Sequence, residues 1–258
     1  MNIPFVKMHA QGNDFIILES SKTAIEEKLL PELANFACTS HFGLGADGLV
    51  WLDVSEPRMV IFNADGSRAE MCGSALRCCC ALLTERSGKY EFRISTDNGQ
   101  LSGIVDRSAP DQVTIEIGNP ILLESGLQID NHKGEFISVG NPHFVIFRDE
   151  LSDHPELTLG KELSSHTHFA EGTNVEFVKI VTENEIIMTV WERGAGATLA
   201  CGTGAAAAVF AGQQLHKLAS EVIVHVPGGS VMISKQGTQY MLSGTVTFVA
   251  EGVLRWKI

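Results

Sequence analysis

Residues 71–86, MCGSALRCCCALLTER, return in altered form near the chain's end as ACGTGAAAAVFAGQQ at 200–214. Each copy opens with a Cys-Gly pair followed by a hydroxyl residue, Ser74 or Thr203, and the spacing predicts helices over 74–86 and 203–217. Each is preceded by an apolar strand and a polar or glycine-bearing turn. Cys72 and Cys201 stand 129 positions apart, half of the 258 residues, as a unit duplicated along the chain would place them. The reading is therefore of two pseudo-symmetric domains. Outward from these turns, short apolar runs read as strands: FIIL (15–18), LVWL (49–52), MVIF (59–62), VTIEI (113–117), FVIF (144–147) and EIIMTVW (185–191). A further helix is expected near Pro31 to Cys38, with proline in its first turn. The turn signal Gly118-Asn119-Pro120 sets the boundary of the first domain at 117, with the second beginning at 118.

Composition narrows the function. Hydrophobic residues make up 44% of the chain and charged residues 19%, as in packed globular proteins. A formal net charge of −12 argues against a nucleic-acid partner, whose phosphates require clustered Lys and Arg. No apolar run reaches the roughly 20 residues that cross a bilayer, and the first residues lack a signal-peptide core, so a cytoplasmic protein without membrane association is expected. Six cysteines in such a chain are expected to be free thiols.

A lone cysteine in an apolar stretch is usually a small core residue, but a repeated one at a helix N-terminus is different. The helix dipole and free N–H groups there favour an anion and lower a thiol pKa, so both Cys72 and Cys201 are expected to be basic near neutral pH. The following glycines, Gly73 and Gly202, let the backbone approach a ligand and offer N–H donors to a carboxylate. Two such turns could place a thiolate and a thiol on opposite sides of an α-carbon, as stereoinversion requires. No lysine has a Schiff-base context and no cluster has metal-ligand spacing, so the chemistry is read as free of cofactor and metal. His166 and His168 read as a solvated loop, and Cys78, Cys79 and Cys80 as helix packing. GLGADG (43–48) matches GxGxxG but precedes a strand, so dinucleotide binding is set aside in favour of an active-site loop or a plain turn.

Several motifs together resemble the diaminopimelate epimerase family: QGNDF (11–15), NADGSRAEMCG (63–73), GNPH (140–143), TNVEF (173–177) and WERGAGATLACGTGA (191–205). The resemblance implies an α+β fold of two domains, each a mixed sheet curled around a central helix, with the active site in the cleft between them and the C-terminal strand joined to the first domain. It implies a homodimer that interconverts L,L- and meso-diaminopimelate, in lysine and cell-wall precursor synthesis, with Cys72 and Cys201 as acid/base pair. It assigns substrate contacts to Asn13, Asn63, Gly73, Ser74, Asn141, Asn174, Glu192, Arg193, Gly202 and Thr203. His143 and Glu192 would tune the cysteine pKa values. An Arg fork suits a distal carboxylate, and Asn and Glu oxygens suit a distal ammonium. By themselves, Glu192 and Arg193 would read as a surface ion pair, Asn63 as part of a turn and His143 as a strand histidine.

Two departures stand out. Ser74 replaces the Asn usual after Cys-Gly in the family, which opens the alternative of a racemase acting on a single-headed amino acid. Ala206 stands where many relatives carry another cysteine. The third alternative is a binding protein that has kept the fold without turnover.

Overall fold

The computed structural model describes residues 1–69 and 71–257, and its chain divides into two compact units, Met1–Ile115 with Gly244–Ile258, and Glu116–Ser243. The apolar runs read from the sequence lie within strands, and their alternation decides which side chains face which helix.

In the first unit the elements are β1 (Asn2–Ala10), β2 (Asn13–Glu19), α1 (Leu30–Cys38), β3 (Gly48–Asp53), β4 (Arg58–Asn63), the short β5 (Arg68–Ala69), α2 (Gly73–Ser87), β6 (Glu91–Thr96), β7 (Gly99–Val105) and the start of β8 (Gln112–Gly118). The second unit contains β9 (Ile121–Ile129), β10 (His132–Ser138), β11 (Pro142–Phe147), the short helices α3 (Pro155–Thr158) and α4 (Gly160–Ser164), β12 (Asn174–Thr182), β13 (Glu185–Glu192), the short β14 (Gly196–Ala197), α5 (Gly202–Gln214), β15 (Glu221–Val226), β16 (Gly229–Gln236) and most of β17 (Gln239–Thr245). The last strand, β18 (Thr247–Arg255), returns to the first unit.

Pairing in the two units follows one plan. In the first, β18, β1 and β2 are antiparallel, β2 and β3 are parallel across α1, β3 and β4 antiparallel, β4 and β6 parallel across α2, and β6, β7 and β8 antiparallel. In the second, β9, β10 and β11 are antiparallel, β11 and β12 parallel across α3 and α4, β12 and β13 antiparallel, β13 and β15 parallel across α5, and β15, β16 and β17 antiparallel. The two match strand for strand, with β18 in the place of β9. Both are mixed sheets with helices at the parallel crossovers, the α+β class expected.

Each sheet encloses one helix. On β1 to β4, Ile3, Ile16, Leu18, Leu49, Val60 and Phe62 pack with α1. Their alternates Val6, Met8, Phe15, Ile17, Val50, Leu52, Met59 and Ile61 are buried on the opposite face. That face holds α2, which touches strands as far apart as β1 and β7, and every α2 residue from Gly73 to Thr84 is buried. Cys78, Cys79 and Cys80 are wholly buried, so helix packing is their place in the structure. The helix ends at Gly88, whose φ of 68° lets its N–H reach the Thr84 carbonyl. In the second unit α5 stops at Gln214, three residues before the predicted end, because the chain turns left-handed at His216 (φ 53°).

GLGADG does not open a helix. Its N–H groups donate to the end of α1 instead, from Leu44 and Gly45 to the Ala37 carbonyl and from Gly43 to that of Thr39. Asp47 then exchanges backbone-to-carboxylate bonds with Asp14 before β3 begins. His168 of the HxH pair lies 3.6 Å from Glu124 and packs edge-on against Phe136 and Phe169. No helix among the described residues is long and apolar enough to span a membrane.

The return of β18 is anchored by Leu254 and Trp256, both in the cluster that α1 covers. Trp256→Ala should therefore destabilise the first unit by about 3–5 kcal/mol. Denaturant titration checks this, and a variant as stable as the parent would detach β18 from that core.

Candidate active site

The two cysteines occupy equivalent places with different surroundings. Cys72 is the N-cap of α2 in extended conformation (φ −143°, ψ 120°), and Cys201 is that of α5 (φ −130°, ψ 111°). In α2 the first intrahelical bond runs from the Leu76 N–H to the Cys72 carbonyl, leaving the amides of Gly73, Ser74 and Ala75 without partners inside the helix. In α5 the first such bond is Ala205 to Cys201. The Gly204 N–H donates to Cys201 Sγ at 3.4 Å, and the amides of Gly202 and Thr203 open beyond it. Each turn combines a sulfur with helix-end donors, an anion-binding geometry.

Near Cys72 the described residues include an amide on the sulfur and, behind it, a buried polar cluster around Arg77. The Asn13 amide nitrogen lies 3.8 Å from Cys72 Sγ. Two residues before Asn13, the buried Gln11 accepts from Arg77 Nη1 at 2.7 Å and donates to the Thr245 carbonyl at 3.0 Å. Arg77 is 1% exposed. Ser74 is buried, whereas Asn63 is exposed and bonds Ser67 Oγ at 2.9 Å within its turn.

Around Cys201 the groups are acidic and linked. His143 and Glu176 are fully buried, with His143 Nδ1 2.6 Å from Glu176 Oε1. His143 Nε2 lies 2.9 Å from the Asn141 side-chain oxygen, and the Asn141 amide donates to Thr203 Oγ1 at 3.4 Å. Thr203 Oγ1 in turn lies 3.5 Å from Cys201 Sγ, so an unbroken chain of polar contacts joins Glu176 to the thiol. Glu192 accepts from Thr198 Oγ1 at 2.5 Å and from the Cys201 thiol. Burial is the main reason its pKa is raised, against the lowering effect of those two bonds. A Cβ on Gly204 would stand 2.6 Å from Glu176 Oε1, so glycine is what lets the carboxylate pack beneath the helix start.

The expectation that both thiols have lowered pKa values fails at Cys201. Burial raises it well above the ordinary thiol value, Glu192 and Glu176 raise it further, and the Thr203 and Gly204 bonds only partly offset them. The helix-end effect that the sequence suggested is overridden first by burial and then by the carboxylates on β13 and β12.

The remaining predicted residues are near but not on the sulfur. Asn174 is buried, donating to the Pro142 carbonyl at 3.0 Å and accepting from the Arg193 N–H at 2.9 Å. The Arg193 side chain is exposed and donates to the Glu171 carbonyl at 3.2 Å. Glu176, Gln11 and Arg77 were not singled out from sequence. Glu176 and Gln11 lie inside TNVEF and QGNDF, while Arg77 is the one cation of the buried helical stretch.

Comparison with known proteins agrees in order and length. The sequence model described as diaminopimelate epimerase matches residues 5–123 and 135–249. The chain belongs to the diaminopimelate epimerase family. It is 36% identical to the diaminopimelate epimerase of Methanothermobacter thermautotrophicus, with 98% of each chain covered. It is 39% identical to that of Pelotomaculum thermopropionicum, covering 96% of this chain and 97% of the relative. Among solved structures, a hydroxyproline epimerase from Agrobacterium vitis superposes with a TM-score of 0.77 at 13% identity, covering 98% of this chain and 92% of the other. A phenazine biosynthesis protein of the PhzF family from Bacillus anthracis gives 0.78 at 16%, covering 99% and 100%. These distant likenesses establish the fold alone. Membership in the diaminopimelate epimerase family makes the chain an isomerase of small amino-acid substrates.

Glu192→Gln removes a negative charge that disfavours the Cys201 thiolate, so the Cys201 pKa should fall. Iodoacetamide labelling of Cys201, followed by peptide mass spectrometry across pH, should then rise at lower pH than in the parent. An unmoved profile would remove Glu192 as a source of the raised pKa.

Proposed function

We propose that the protein is a diaminopimelate epimerase that inverts one α-carbon with Cys72 and Cys201 as paired acid and base. The observation that carries this reading is the repetition of a cysteine at the start of an enclosed helix, with unpaired amides beside each sulfur. One thiolate takes the α-proton and becomes a thiol, while the other thiol protonates the opposite face and becomes a thiolate. The net charge of the site is unchanged and no cofactor takes part. The carbanion forms beside a carboxylate held by the helix-end amides of Gly73, Ser74, Gly202 and Thr203, where N–H donors favour the added charge.

The family resemblance supports a cleft between the two domains, 1–117 with 250–258 and 118–249, as the place where the cysteines meet the substrate. It also supports Asn13, Asn63, Asn141, Asn174, Glu192 and Arg193 as substrate contacts. Arg193, being exposed and forked, suits the distal carboxylate. Glu192 and His143, in the polar network behind Cys201, suit the tuning of that thiol. We further propose a cytoplasmic homodimer serving lysine and cell-wall precursor synthesis. Ser74 favours a second reading, a racemase of a single-headed amino acid, in which Arg193→Ala would leave turnover intact.

Incubation of reduced protein with L,L-diaminopimelate in D₂O should give meso product carrying α-deuterium. Labelling confined to a single-headed amino acid would select the second reading, and no labelling of any amino acid would remove enzymatic turnover altogether. Cys72→Ser and Cys201→Ser should each lower the rate by about 10²- to 10⁴-fold, because a hydroxyl is a far weaker base than a thiolate.

Mild oxidation without substrate should inactivate the enzyme by linking Cys72 to Cys201, with recovery in dithiothreitol. A peptide map of the inactive protein without that crosslink would count against the paired arrangement.

A further inference from the structure

The polar contacts behind Cys201 have a direction, which follows from the sulfur inward. The Cys201 hydrogen is given to Glu192, so in the 3.5 Å contact with Thr203 the sulfur accepts and the hydroxyl donates. Sγ accepts from the Gly204 N–H as well, at 3.4 Å. With its own hydrogen committed to the sulfur, Thr203 Oγ1 can only accept from Asn141, whose amide nitrogen lies 3.4 Å from it. That leaves the Asn141 oxygen facing the imidazole, 2.9 Å from His143 Nε2, and an amide oxygen only accepts. Nε2 therefore carries a hydrogen. On the far side of the ring Nδ1 stands 2.6 Å from Glu176 Oε1, a separation that two acceptors do not hold without a hydrogen between them. These contacts form one line of donors aimed at Cys201, with Glu176 as the acceptor that ends it. Every member lies in the second unit.

The fold does not require the Glu176–His143 pair. In register, Phe15 pairs with Gly48 and His143 with Asn174, while Leu49 pairs with Phe62 and Val175 with Trp191. Phe15 thus corresponds to His143 and Val50 to Glu176, and the first unit fills both places with buried apolar side chains. In the second unit both places hold fully buried ionisable groups, and Glu176 Oε2 has no hydrogen-bond partner among the described residues. Burying such groups is costly even when they are paired. Room for the carboxyl comes from Gly204, where a Cβ would stand 2.6 Å from Glu176 Oε1, so the helix start that carries Cys201 is built around it.

We infer that Glu176 is a positioning residue, whose carboxylate keeps a hydrogen on both nitrogens of His143 and so fixes the direction of the chain that ends in the Thr203 hydroxyl on Cys201. A neutral ring has only one such hydrogen. Were it on Nδ1, Nε2 would accept, the Asn141 amide would turn over and the Thr203 hydroxyl would be drawn away from the sulfur. The bond made by one ring nitrogen sets the state of the other, and a carboxylate on Nδ1 that leaves both protonated removes that choice. The direction matters when Cys201 gives its proton to the α-carbon, because the hydroxyl is already placed to bond the new negative charge on sulfur without reorganisation. The inference deepens the two-cysteine reading above and rests on it for that meaning, but its first test needs no turnover.

Protein labelled with ¹⁵N-histidine reports the ring directly by NMR, the His143 signals being those absent from His143→Gln. At neutral pH both ring nitrogens of the parent's His143 should carry hydrogen, and a ring with either nitrogen bare would overturn the proposal. Glu176→Gln keeps the shape of the side chain without its charge, and the equivalent Val50 shows that a neutral side chain fits there. In that variant His143 should lose one ring hydrogen, and kcat should fall by about tenfold or more with a smaller change in KM, part of the roughly 10²- to 10⁴-fold that placed proton transfer contributes. A folded Glu176→Gln variant with the parent's ring state and rate would overturn the proposal too, since loss of stability alone moves neither the ring hydrogens nor kcat per folded molecule. If the ring hydrogens behave as expected but the parent exchanges no α-hydrogen, the epimerase reading fails and the hydrogen-bond assignment stands.

Discussion

A helix enclosed on all sides by a sheet can meet a ligand only through its ends, and this constraint governs the rest of the molecule. Α2 is buried from Gly73 to Thr84, so its first turn is where unpaired amides, the positive end of the dipole and a side chain can act together. A cysteine at the N-cap therefore has a preformed anion site beside it. The same enclosure makes every other polar group on the helix costly, Arg77 among them. A sheet that wraps a helix also needs enough strands, and β18 supplies to the first unit what β9 supplies to the second.

Duplication provides two such helix starts, but identical copies would serve proton transfer poorly. Two sulfurs with the same affinity for a proton would leave the resting state divided between two forms. The described surroundings of the two cysteines differ: Cys201 lies beside two carboxylates, while the residue described on the Cys72 sulfur is the amide of Asn13. Glu192 and Glu176 disfavour a second negative charge beside them. The strand pairing is the same in the two halves, while the side chains described around the cysteines are not.

Much of this was legible in the sequence because it rests on local pattern. The apolar runs at 15–18, 49–52, 59–62 and 144–147 are short, continuous and β-branched or aromatic, as strands buried on both faces are, the run at 185–191 alternates, and the Cys-Gly turns mark both central helices. The short α3 and α4 have four and five residues, too few to show a helical period, and were missed. The site was legible where its residues flank the cysteines and obscure where they do not. Glu176 sits in the middle of a buried strand, and nothing local reveals that its neighbour in space is Gly204 on α5. Burial of Cys201, with Glu192 and then Glu176 adding to it, is why the expected low pKa there is reversed.

Arg77 was obscure for the converse reason. In CGSALRCCCALL it looks like the single exposed position of an amphipathic helix, and only the sheet closing over that side buries it. Once buried, it cannot be a solubility device, and its bond to an amide does not neutralise it. On the α2 side of the sheet the neighbouring thiols Cys78 and Cys79 are sealed from water, while Cys72 is half-exposed at the helix start and able to exchange a proton with a ligand. Burial of the helix and reactivity of its first residue are thus consequences of one enclosure.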